Sequence, residues 1–166
     1  NNSDKSFRWD VQEKQSSEGA GLYRIIFTSQ TWRDIEWNHE LMIIVPDAME
    51  SSDALLFITG GSVKDGKPNI HEFTDDFVKA IGNIAVANKA VTAIIWQVPN
   101  QPLFNDLTED ALITYTLHNY KQDKDFTWPL LFPMTKSAVR AMDVIQDFSA
   151  KETGKKVTGF VLSGAS

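Results

Sequence analysis

The chain has 166 residues, 42% hydrophobic and 23% charged, enough for one domain with a core of its own. Sixteen Lys and Arg against 22 Asp and Glu leave a net charge of −6, which excludes a general nucleic-acid binder, since that needs a basic face toward phosphates. The absence of cysteine excludes disulfides, thiolate catalysis and Cys-ligated zinc, and no window approaches the roughly 18 apolar residues of a membrane span.

Residues 1–10 have neither the basic start nor the apolar stretch of a signal peptide, as expected of a mature terminus whose leader has been removed. Asn1-Asn2-Ser3 matches a glycosylation sequon, a three-residue pattern of low specificity. Residues 1–20 are polar and read as irregular. Residues 22–28 (LYRIIFT) and 40–45 (ELMIIV) read as strands, able to pair as an antiparallel hairpin. Residues 54–59 (ALLFIT), closed by Gly60-Gly61, have the unbroken apolar character of a strand covered on both faces.

A helix follows, with Thr74 as its N-cap, Asp75 and Asp76 at the positive end of its dipole, and Phe73 placed to staple onto Val78. Its apolar stripe is Phe77, Ile81, Ile84 and Ala85. Residues 91–98 (VTAIIWQV) form another buried strand, stopped by Pro99. Asp106 and Glu109 have capping-box spacing for a helix reaching Tyr120. Residues 134–150 are the clearest helix, with Ala138, Met142, Ile145 and Phe148 on one face and Gly154 as its stop. Residues 157–162 (VTGFVL) are a last strand. The alternation of strands and helices predicts an α/β fold of one unit: a mostly parallel sheet with flanking helices and an initial antiparallel hairpin.

Such sheets place ligand sites beyond the carboxyl ends of their strands. Gly164-Ala165-Ser166 follows the last strand directly. In a nucleophile elbow, Gly-x-Ser-x-Gly, the chain turns sharply from strand to helix and lifts the serine above the sheet; small neighbours are needed because the turn packs tightly. The backbone is therefore expected to bend after Leu162 and present Ser166 as a nucleophile. The tripeptide alone also fits an ordinary Gly/Ser turn; its position at the end of this strand favours the elbow. Gly60, Gly61 and Ser62 end an earlier strand, where a backbone N–H of an oxyanion hole is expected and glycine lets a substrate carbonyl approach. Asn100 and Gln101, just past another strand, are candidates to line the pocket or to hydrogen-bond within their loop.

Residues 61–67 match the Gly-x4-Gly-Lys part of a phosphate loop, but Pro68 stands where a magnesium-binding Ser or Thr is required. His39, His71 and His118 lack metal-ligand spacing, and no metal or cofactor is expected. All three precede Ser166, whereas an α/β-hydrolase places its acid and then its histidine after the serine.

Several segments in matching order resemble one family: WNH (37–39), LLFITGGS (55–62), VPNQPL (98–103), EDALITY (109–115), WPLLFPMTKSAVRAMD (128–143) and FVLSGAS (160–166). They are similar to the PhoPQ-activated pathogenicity-related proteins, a family related to the autocrine proliferation repressor of social amoebae. The resemblance implies an α/β-hydrolase fold, a secreted or periplasmic location and a serine at position 166. In the family that serine is followed by Lys-Arg-Gly, so the chain is expected to stop at its elbow, with the rest of the natural protein as its structural partner. Two functions are then carried forward. One is a serine hydrolase, esterase- or peptidase-like, acting on a small-molecule or peptide substrate. The other is a non-catalytic exported binding or signalling protein linked to bacterial virulence.

Overall fold

A computed structural model describes residues 4–165; the sequon at Asn1-Asn2-Ser3 and the nucleophile candidate Ser166 lie outside the described residues. The longest strands are β2 (Ala20–Trp32) and β3 (Ile35–Pro46), whose runs of Ile, Leu, Met, Phe and Val favour the pleated, buried backbone. They form an antiparallel hairpin closed by Arg33 and Asp34, both at positive φ (53° and 61°). That is the turn geometry whose twist matches the strands it joins. Ahead of them, β1 (Arg8–Ser17) pairs antiparallel with β2, where an irregular segment was expected. Only Trp9 packs onto the core from this strand, and most of its side chains face solvent. Pairing with the long edge of β2 creates it, so its polar composition carried no strand signal.

Beyond β3 come β4 (Asp53–Thr59), the two-residue strands β5 (Val63–Lys64) and β6 (Lys67–Pro68), β7 (Thr92–Ile95) and β8 (Gly159–Ala165). The six-stranded sheet runs in the order β1-β2-β3-β7-β4-β8. Its first three neighbour pairs are antiparallel and its last two parallel, so the described sheet is mixed rather than mostly parallel. The parallel part lies in the half where helical connections return the chain to the sheet. The last strand also runs three residues further than its apolar pattern suggested. Ser163, Gly164 and Ala165 pair with Phe57, Ile58 and Thr59, so no bend occurs after Leu162.

Helix α1 (Asp76–Asn88) covers one face, burying Val78, Ile81 and Ala85 against Met42, Ile44, Ile94 and Trp96. This stripe is rotated from the expected one: Phe77 and Ile84 lie at its exposed border, and Asp75 rather than Thr74 is the N-cap. Phe73 joins the same cluster as Val78, as a staple should. Helix α2 (Glu109–Asp123) begins at Thr108 rather than Asp106, without a side-chain cap. Helix α3 (Leu131–Thr153) covers the opposite face and starts three residues early, with Pro133 in its first turn, where a missing N–H does no harm. Its Ala141, Val144, Ile145 and Phe148 meet Ile25, Leu41 and Ile43, and Gly154 ends it in the left-handed conformation. No helix among the described residues is long and apolar enough to cross a membrane.

Candidate functional site

Parallel pairing of β4 with β8 decides where the site lies. Thr59 pairs with Ala165, so Gly60 and Ala165 lie at the same end of the sheet, on adjacent strands. Between them opens a cleft of about 680 Å³, lined by Gly60, Val98, Pro99, Ile113, Met134 and Gly164 among others. Glycine at 164 has a steric reason: a Cβ there would sit 2.9 Å from the Ile58 carbonyl oxygen on the neighbouring strand. A Cβ at Gly61 would meet both the backbone nitrogen and the side-chain amide of Gln97 at 3.0 Å. Both glycines thus sit where a neighbouring backbone leaves no room for a Cβ unless something shifts.

The expected site residues divide accordingly. Gly60 lines the cleft, and Gly61 lies behind it against Gln97. Ser62 is exposed and accepts a 2.5 Å hydrogen bond from Asn69 Nδ2. The phosphate-loop lookalike that follows folds into the β5–β6 ribbon instead of entering a helix. Asn100 and Gln101 are buried and absent from the cleft wall; Val98 and Pro99 take that place. Asn100 Nδ2 donates to the Asn38 carbonyl at 2.6 Å. Gln101 Oε1 accepts the Glu109 backbone N–H at 2.8 Å, while its Nε2 donates to the Glu109 carboxylate at 2.6 Å. These amides satisfy loop and helix-end groups that would otherwise be stranded, so the hydrogen-bonding alternative describes them.

Glu109 and Asp110, at the start of α2 and not at a strand end, also line the cleft. Glu109 holds φ at +48°, a costly conformation for a residue with a Cβ. Its Oε1 would lie 3.9 Å from a Cβ built at Gly60. Sequence alone carried a weak signal for it, an acidic pair opening a helix, which reads first as dipole compensation.

The histidines occupy three different environments. His39 is fully buried, its ring stacked on Phe27. Its Nδ1 lies 3.1 Å from the Trp96 carbonyl, which only accepts, so Nδ1 carries the proton and Nε2 accepts from Ser29 Oγ at 2.9 Å. Burial pushes its pKa down from 6.5 to about 4, partly opposed by the backbone groups of Trp96 and Gln97. His71 is partly exposed and stacks on Trp96, with Nδ1 2.8 Å from the buried Glu40 carboxylate. His118, on α2, accepts at Nε2 from Gln122 Nε2–H at 3.0 Å on the surface.

The chain is 29% identical to autocrine proliferation repressor protein A of Dictyostelium discoideum, over 98% of this chain and 34% of that protein, so it spans about a third of the length of that relative. In three dimensions, 96% of the chain matches 45% of acetyl xylan esterase 1 from Thermoanaerobacterium sp., with TM-score 0.55 and 13% identity. Likewise, 98% matches 46% of a glucuronoyl esterase from Solibacter usitatus, with TM-score 0.53 and 12% identity. Identities this low speak for a shared fold. A family model for the PhoPQ-activated pathogenicity-related proteins matches residues 1–166. The chain belongs to the PhoPQ-activated pathogenicity-related protein family.

Proposed function

We propose that this chain supplies the nucleophile and the oxyanion loop of an exported serine hydrolase that transfers acyl groups to water. The observation that supports the reading is the parallel register of Thr59 with Ala165, which sets Gly60 and Ala165, the residue before Ser166, at one end of the sheet across one cleft. Ser166 attacks the substrate carbonyl. The negative charge that develops on its oxygen is met by the backbone N–H following the serine and by one from Gly60, Gly61 or Ser62. A histidine and an acid from polypeptide beyond residue 166 complete the proton relay. The esterase names of the structural neighbours make acetylated and uronoyl-linked carbohydrates the first substrates to try.

The test is a fluorophosphonate probe applied to the complete polypeptide that contains this chain. Covalent labelling is expected, and Ser166→Ala abolishes it; labelling that survives the substitution sinks the assignment. A second reading, a non-catalytic exported signalling protein on the same fold, is favoured by the name of the Dictyostelium relative, a repressor of proliferation. Complete polypeptide that resists the probe and hydrolyses no ester selects this alternative.

A further inference from the structure

Glu40 is the one carboxylate among the described residues that is completely buried, and its partners do not belong to its own strand. Its Oε1 accepts from Arg24 Nε at 3.0 Å; its Oε2 accepts from the His71 backbone N–H at 3.0 Å and from His71 Nδ1–H at 2.8 Å. Arg24 closes the group by donating Nη2–H to the His71 carbonyl at 2.5 Å, pairing with Glu13 on β1, and placing its guanidinium 4.5 Å from the Phe73 ring. The Glu40 backbone N–H donates to Gln97 Oε1 at 2.8 Å. Gln97 in turn donates Nε2–H to the Asn69 carbonyl at 2.9 Å and its backbone N–H to the Gly60 carbonyl at 3.4 Å. Positions 60, 61, 69 and 71 of the loop after β4 therefore rest on two linked residues, Glu40 and Gln97, and Phe73 rests on Arg24, which Glu40 holds.

Stability alone gives little reason for this arrangement. Burying a carboxylate and a guanidinium together sacrifices the hydration of both, and apolar residues of similar volume often serve as well or better. What ionic and amide partners provide is direction: each fixes a particular backbone group of the loop at a particular distance. Gln97 itself is held at φ +60°, a strained geometry for a residue with a side chain, and it fills the space that a Cβ at Gly61 would need.

We propose that Glu40 is a positioning residue for the hydrolytic site, holding the loop 60–73 through His71, Arg24 and Gln97 so that its backbone donors face the developing oxyanion. The inference rests on reading that loop as the oxyanion donor. Glu40 touches no substrate. It acts by keeping the donors within the narrow tolerance that catalysis demands, where a displacement near 1 Å costs about 10²-fold in rate.

The complete polypeptide is assayed with p-nitrophenyl acetate, and hydrogen exchange is followed across residues 60–73. In Glu40→Gln, kcat falls about 10²-fold with KM within roughly threefold, and the loop amides exchange faster while β2 and β3 stay protected. His71→Ala retains the backbone bond to Glu40 and loses roughly tenfold in kcat; it carries the test if Glu40→Gln does not fold. Ser29→Ala, on the opposite face of the sheet, leaves kcat unchanged. The proposal is overturned if His71→Ala and any folded Glu40→Gln protein keep wild-type kcat, or if their loop exchange matches that of Ser29→Ala. Should the unaltered polypeptide neither label nor hydrolyse, the hydrolase reading fails separately, and the exchange measurement alone decides whether Glu40 sets the loop.

Discussion

His39 and Glu40 are consecutive residues of β3, both completely buried, yet the sheet sends them into opposite networks. A strand points successive side chains to opposite faces, so His39 meets the α3 side and Glu40 the side of α1 and the glycine loop. The His39 network is uncharged. Ser29 Oγ lies 3.0 Å from Ser137 Oγ, and Gln30 Nε2 donates to the Pro133 carbonyl at 2.7 Å and to Ser137 Oγ at 3.2 Å. It links sheet to helix, two rigid elements. The Glu40 network is ionic and links the sheet to a loop that is mostly exposed and packs into the core chiefly through Phe73. The difference teaches that neutral hydrogen bonds suffice where packing already fixes geometry, whereas the loop is held by charge-assisted bonds, which are stronger and more directional.

The largest expected effect comes from breaking the ionic network from one side. Arg24→Met leaves Glu40 buried without its guanidinium and costs about 3–5 kcal/mol in urea unfolding, whereas Arg24→Met with Glu40→Leu recovers most of that loss. If the double variant is no more stable than the single one, charge pairing is not what distinguishes this network.

The next effect concerns pH on the neutral side. The His39 pKa is lowered from 6.5 to about 4, so between those values the unfolded chain binds the proton that the folded one refuses. The contribution of neutral His39 is present in full above pH 6.5 and is lost as pH falls toward 4, amounting to about 3 kcal/mol. Comparison with His39→Gln isolates it: the gap in stability between the two proteins should narrow by that amount from pH 7 to pH 4. A gap independent of pH would mean that His39 titrates normally.

The smallest effect is expected at Ser29. Ser29→Ala removes the donor to His39 Nε2 and leaves a buried acceptor unpaired, costing about 1–2 kcal/mol by thermal unfolding. A cost equal to that of Arg24→Met would erase the contrast between the two faces.

How far the sequence could be read depended on where the physical cause of each feature lies. The strand β7 was legible because both faces are covered and its residues are correspondingly apolar, and β4 was legible from an equally apolar run although its Leu55 and Phe57 are only half-buried. β1 was not, because an edge strand made by pairing needs no hydrophobic pattern, and its charged residues look like those of a loop. The glycines at 61 and 164 were recognisable as unusual positions, but the contacts that require them come from Gln97, just past β7, and from Ile58 on β4. Asn100 and Gln101 were drawn toward the cleft by their place past a strand end; their amide groups turned out to be committed to Asn38 and Glu109.

By itself the sequence determined the order of the apolar strands and the helices from β2 onward, the glycine endings after β4 and before position 166, and the family, because apolar runs and turn residues are local and linear. Tertiary structure alone decided that β4 and β8 lie side by side in parallel, that His39 and Glu40 face opposite ways into different chemistries, and that the cleft is walled by α2 and α3. Those outcomes arise from contacts between residues tens of positions apart, whose distances the loops leave free and only the packed sheet sets.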